Sequence, residues 1–157
     1  MFAVGDKILY PMHGAGVIQA VEERVILGET RRYYIMRLPY VDMNVMIPVD
    51  FGSEIAVRPI ISKEEVEKVF LVLREDSTDM SNNWNRRNRD NMDKLKTGDI
   101  MEVAEVVRNL IRTDRIKKLS TGEKKMLTNA KQILESELVL AVGFDITTID
   151  SLIEEAV

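Results

Sequence analysis

The stretch Asn82-Asn83-Trp84-Asn85-Arg86-Arg87-Asn88-Arg89 gathers three arginines, four asparagines and the only tryptophan of the chain into eight residues. Arginines hold phosphates, asparagines reach base edges, and an indole stacks on a base or wedges at a base step. Stacking on an aromatic side chain is worth about 1–3 kcal/mol, so one exposed tryptophan matters. Asn83, Trp84, Arg86, Arg87 and Arg89 are therefore candidates for a nucleic-acid surface. A plainer alternative stays open on composition alone: a solvated helix start with Trp84 tucked against a neighbouring helix. A second basic group, Arg108, Arg112, Arg115, Lys117 and Lys118, reads as a solvated face with cations near a helix C-terminus, where they complement the helix dipole.

Other chemistry finds few residues. With no cysteine, disulfides, thiolate metal sites and thiol catalysis are excluded. The single histidine, His13, has no second imidazole or thiolate to join it, so a metal site or a histidine-based triad is not expected. Gly14-Ala15-Gly16 lacks the third glycine and the following helix of a dinucleotide site. Carboxylates are scattered among lysines at helical spacing, which suits surface pairing better than a catalytic dyad. The expectation is a non-enzyme without metal or cofactor. No apolar run approaches the length of a bilayer span, and the N-terminal residues do not resemble a secretion signal, so a cytoplasmic location away from membranes is expected.

The charge of the whole chain misleads. A net charge of −4 over 157 residues opposes nucleic-acid binding if it is evenly spread, because phosphate neutralisation drives non-specific affinity. Counted by segment, residues 84–125 carry 12 basic and 7 acidic side chains, whereas residues 126–157 carry 1 and 6. Fields at a surface are set within a Debye length, about 8 Å at physiological salt, so the basic centre counts for more than the mean.

These groups need elements to position them. Up to residue 49, β-branched and aromatic runs alternate with glycine and proline: Lys7 to Tyr10 closed by Pro11, a loop over 12–16, Val17 to Val25, a turn over 27–30, Arg31 to Leu38, and Met43 to Val49. Four or five such strands fit a small antiparallel barrel or curled sheet. From residue 62 the period becomes helical. Ser62 and Glu65 have capping-box spacing ahead of Val66, Val69, Phe70 and Leu73. Residues 74–83 read as a loop, Trp84 to Lys96 as a polar helix, and Asp99 as the cap of a helix buried along Val103, Val107 and Leu110. Ser120 and Glu123 form a second capping box, Gly143 ends that helix, and Thr147 caps a last short one. The fold class is α+β in two domains: a β-rich module over 1–55 and an all-helical one over 62–157.

The run from Val4 to Gly16, VGDKILYPMHGAG, resembles the opening motif of the CarD/CdnL family of bacterial transcription regulators, a motif shared with the polymerase-binding domain of the transcription-repair coupling factor. Asn83 to Arg87, Asn91 to Asp99, Ala104 to Leu110 and Leu119 to Leu127 resemble the helical part of that family specifically, so the similarity spans nearly the whole chain. The resemblance implies a Tudor-like β-barrel module that docks on the β subunit of RNA polymerase, partly by edge-strand pairing, which draws affinity from unpaired backbone groups. It implies a helical domain on promoter DNA at the upstream fork of the bubble, with Trp84 wedged in the minor groove and Arg86, Arg87 and Arg89 near the backbone. Arg24 matches a basic docking position. Met46 stands where a relative has arginine, and Val45, Met46, Ile47 and Pro48 are candidates for the docking strand, with ordinary barrel residues as the alternative.

The expected function is an RNA polymerase-binding regulator, a monomer with weak DNA affinity of its own, that stabilises the open complex. The alternative is a protein-interaction adaptor that uses only the β-rich module and does not touch DNA.

Overall fold

The computed structural model describes residues 2–39, 42–49 and 57–157, and within them a β-rich first part is followed by helices. Strands β1 (Lys7–Tyr10), β2 (Gly14–Ile26), β3 (Glu29–Arg37), β4 (Asn44–Pro48) and β5 (Arg58–Pro59) form one antiparallel sheet in the order β4-β3-β2-β1-β5. The expected barrel is not closed: β4 and β5 are opposite edges, and no pairing joins them among the described residues. Two residues long and ending in Pro59, which has no N–H, β5 has little to offer a closing ladder. The domain boundary expected at residue 55 lies outside the described residues.

Helices cover part of one face of the sheet, at β1 and the start of β2, as the two-residue period of β1 shows. Ile8 joins Ile18, Tyr34, Met36 and Ile47 in a small core on one face. Leu9, its neighbour, and Ala15, its partner across the ladder, belong to the larger core of the helices. Gly14 and Gly16 belong to this packing and not to a ligand cradle. A Cβ on Gly14, whose φ is +108°, would lie 2.8 Å from Ser136 Oγ, and one on Gly16 would lie 2.5 Å from the Arg37 carbonyl oxygen. Both are strand residues, so the loop expected over 12–16 shrinks to the turn 11–13, where His13 stacks on Tyr10. The next turn is tighter than expected: Leu27 and Gly28, with φ of +53° and +80°, join β2 to β3.

Helices α1 (Lys63–Arg74), α2 (Trp84–Lys96), α3 (Ile100–Ile116), α4 (Thr121–Val142) and α5 (Ile146–Ala156) match the apolar periods in the sequence. The Ser62/Glu65 capping box is complete, Asp99 caps α3, and Gly143 ends α4 with φ +77°. Two expected caps differ. Ser120 accepts from the Glu123 N–H, but the Glu123 carboxylate turns to Arg87 instead of closing the box. Asp145 and not Thr147 caps α5: its carboxylate accepts from the Thr148 N–H at 2.8 Å, a charged acceptor at the positive end of a helix.

The second basic group is a solvated face only in part: Lys117 and Lys118 are exposed, whereas the three arginines bind helix ends. Arg108, 1% exposed, donates to the Val72 carbonyl, and Arg112 donates to those of Leu73 and Glu75, so both bind carbonyls at the end of α1. Arg115 does the same for α5 at Glu154 and Val157. Burial pulls the Arg108 pKa down and the positive charge of Arg112 adds to that, while Glu105, Glu75 and Asp76 oppose it.

Sheet and helices are stitched at consecutive residues of α4. Ser136 Oγ accepts from the buried Ala15 N–H at 2.8 Å. Glu137, wholly buried, takes both terminal nitrogens of Arg58 at 2.6 and 2.9 Å and the Ile61 N–H at 2.9 Å.

Candidate functional site

Asn83 is the N-cap of α2, its Oδ1 accepting from the Arg86 N–H at 3.1 Å, and this places Trp84 at the first helical position. The indole is 45% exposed. Its ring lies against Gly122 in the first turn of α4, where a Cβ would stand 3.4 Å from Cζ2, and its Nε1–H donates to Ser120 Oγ at 3.4 Å. Trp84 is thus tucked against a neighbouring helix, as the plainer alternative has it, and is still partly exposed.

The three arginines of the run separate. Arg87 is 20% exposed at its side chain and grips Glu123, itself 8% exposed, through Nε and Nη2 at 3.0 and 3.2 Å, while Nη1 donates to the Ser81 carbonyl. It holds α2 to α4. Arg86 and Arg89 are exposed, with no side-chain partner among the described residues. At the other end of α2, Lys94 pairs with Glu105 of α3 at 2.9 Å. Burial raises the Glu105 pKa, but the bonds from Lys94 and Thr78 outweigh it and leave the carboxyl below its usual range. Tethered at both ends, α2 turns Arg86 and Arg89 to solvent and lays Trp84 against the start of α4 with part of the ring exposed.

Tertiary structure adds neighbours that the sequence reading did not single out. Lys124 and Lys125 on the first turns of α4 are exposed, and Lys125 lines a groove with Trp84. The signal was faint: Trp84, Asn88 and Met92 recur every four residues, a helix face like any other.

The docking candidates of the first part lie on one sheet. β4 pairs only with β3 among the described residues and so presents an edge. Met46 is 40% exposed, Val45 and Pro48 are half-buried, and Ile47 is in the sheet core, which leaves that residue only its backbone for a partner. Arg24 sits opposite Arg31 on the β2–β3 hairpin, two positions beyond Tyr33, the partner of Pro48. That is about 7 Å along the strand. It is exposed and bound to Glu22 at 2.8 Å. Beyond it Val25, Ile26 and Leu27 expose an apolar tip, with Leu27 fully in solvent. The sequence reading assigned these to a strand and a turn, because apolar residues in a β run look like core.

Among the described residues no group of three or more histidine, cysteine or carboxylate side chains could hold a metal ion, and no helix is long and apolar enough to cross a membrane. Residues 68–154 match the family model described as the C-terminal domain of CarD, and residues 2–61 match the one described as the CarD-like/TRCF RID domain. The chain is 42% identical over 143 residues to the Bacillus subtilis (strain 168) protein named "Putative transcription factor YdeB", an alignment that covers 91% of this chain and 94% of that one.

Proposed function

This chain belongs to the CarD family of transcription regulators, and from that premise we propose that it binds RNA polymerase through its β-rich part and holds promoter DNA open with the Trp84 edge of its helical part. The two working units are residues 1–55 and 62–157. Docking uses the β4 edge at Val45, Met46, Ile47 and Pro48, together with Arg24, against a strand of the β subunit. The exposed apolar tip beside Arg24 extends that surface. The work is done in the cytoplasm, on the nucleoid, by a monomer.

The observation that carries the DNA reading is the half-exposed indole on a helix fixed at both ends, a helix that also exposes Arg86 and Arg89 without a partner among the described residues. A wedge needs such mounting, since a mobile ring loses as much in ordering as it gains in stacking. Placed at the minor-groove side of an unstacked step, Trp84 opposes reclosure of the bubble, and unstacking is worth a few kcal/mol per step. A protein that binds open promoter better than closed shifts that equilibrium toward open by the difference. Arg87 supports the surface by positioning α2 and leaves the phosphates to Arg86 and Arg89. The acidic remainder of the chain keeps DNA affinity weak until polymerase delivers the basic edge.

The test is a promoter footprint with polymerase and a measurement of open-complex lifetime, comparing the intact chain with Trp84→Ala. The variant is expected to bind polymerase normally and to shorten the lifetime about fivefold or more, the effect of losing ~1 kcal/mol of stacking. Unchanged lifetimes on several promoters would remove the wedge. A footprint identical with and without the protein would leave the adaptor role in its place.

A further inference from the structure

Between α2 and α4 runs a groove of about 630 Å³, within the range of roughly 300–1,000 Å³ typical of ligand clefts. Trp84, Asn88 and Met92 line it from α2, and Lys125, Met126 and Asn129 from α4. Asn88 and Asn129 are half-buried, yet neither side-chain amide has a hydrogen-bond partner among the described residues. Both amides reach solvent through the groove, so their donors and acceptors are open to an occupant. Met92 is half-buried and Met126 buried, and both offer soft, polarisable contacts to a flat ring. Lys125 is exposed at the rim and offers a cation to an anionic occupant.

We infer that this groove receives one unstacked nucleobase of single-stranded DNA, held between the indole of Trp84 and the two methionines, read at its edge by Asn88 and Asn129, with Lys125 at its phosphate. The inference rests on the DNA reading above and deepens it: the wedge displaces a base, and the groove beside it is where that base goes. A base out of the helix has its Watson–Crick edge unsatisfied, which suits asparagine amides that both donate and accept. Base capture makes the wedge sensitive to sequence at the fork, whereas a bare indole is not, because every base has a π-face.

Trp84 is the only tryptophan of the chain, so its emission reports the groove directly. The intact protein is titrated at low salt with a forked DNA carrying one unpaired base at the junction, with the same fork abasic at that position, and with the fully paired duplex. The base-bearing fork is expected to bind about fivefold tighter than the abasic one and to quench Trp84 more, which corresponds to about 1 kcal/mol of stacking. The double variant Asn88→Ala, Asn129→Ala is expected to bind the abasic fork like the intact chain and to lose most of the preference for the base. Equal affinity for the two forks, with Trp84→Ala weakening both, would overturn base capture and leave the wedge standing. Binding of forks and duplex alike that is indifferent to Trp84→Ala would overturn the wedge too.

Discussion

Glu135 on α4 is buried, its Oε1 has no partner among the described residues, and its neighbours are Lys131 on its own helix and Asp150 and Glu154 on α5. Burial, then the hydrogen bond to Asp150 and the charge of Asp150, push its pKa up to about 8 against the opposing charge of Lys131. The hydrogen bonds from Glu135 and Lys131 hold Asp150 low, so the two carboxyls divide into a neutral donor and a charged acceptor. For Glu135 the folded state binds the proton more tightly than the unfolded one, whose value is near 4.5. Its contribution to stability is therefore complete below that value and is lost as pH rises through about 8. Asp150 acts the other way, its contribution lost as pH falls. Glu135→Gln keeps a donor for Asp150 without a titrating proton. Thermal melts are expected to show the variant gaining on the intact chain as pH rises from near 4.5 to about 8, and parallel pH profiles would refute the shared proton. A different residue-scale prediction concerns Arg24, which is exposed and balanced by Glu22. Arg24→Glu places two carboxylates together on the docking hairpin and is expected to abolish capture of polymerase in a pull-down while leaving the melting temperature within a few degrees, as for surface substitutions generally.

Among the elements, α2 depends most on its tethers. Only Asn91 and Leu95 of its thirteen residues are buried, too little apolar surface to fix a helix by packing. The Arg87–Glu123 pair at one end and Lys94–Glu105 at the other supply what packing does not. Glu123→Gln removes the charge facing Arg87, which is mostly withdrawn from water, and is expected to cost about 1.5–3 kcal/mol in urea unfolding, the range for hydrogen bonds to charged groups. Since Glu123 also accepts from Ser120, which receives the indole N–H, the emission of Trp84 is expected to shift as well. Unchanged stability and emission together would show that packing alone holds α2. The existence and type of every helix were legible from period and caps, because those signals are local. The tasks of Arg108, Arg112 and Arg115 were not. Cations at helical spacing look solvated unless the carbonyls of α1 and α5, more than 30 residues away in the chain, are known to end beside them.

At the scale of the whole molecule, sheet and helices share a seam along Ser136 and Glu137. Ser136→Ala leaves the buried Ala15 N–H without an acceptor, a loss of about 1–3 kcal/mol. Urea unfolding is expected to shift accordingly, and the Ala15 amide to exchange faster; a fully protected amide in the variant would mean that the seam is held elsewhere. Ser136 and Glu137 gave no sign of this in the sequence, where a serine and a glutamate in mid-helix read as surface. The sequence by itself determined the order and types of the elements other than β5, the caps of α1 and α3, and the run around Trp84 that marks the helical part, because propensity, period and short motifs act over a few residues. It also carried the family, through motifs at both ends of the chain. Only the tertiary structure decided that the sheet stays open with helices on one face, that Arg87 positions α2 while Arg86 and Arg89 remain exposed, and that Trp84 borders a groove with unpaired amides. Each of these depends on which distant groups meet, and a buried carboxylate, a bare carbonyl or a gap between two helices has no fixed spacing in sequence by which to announce itself.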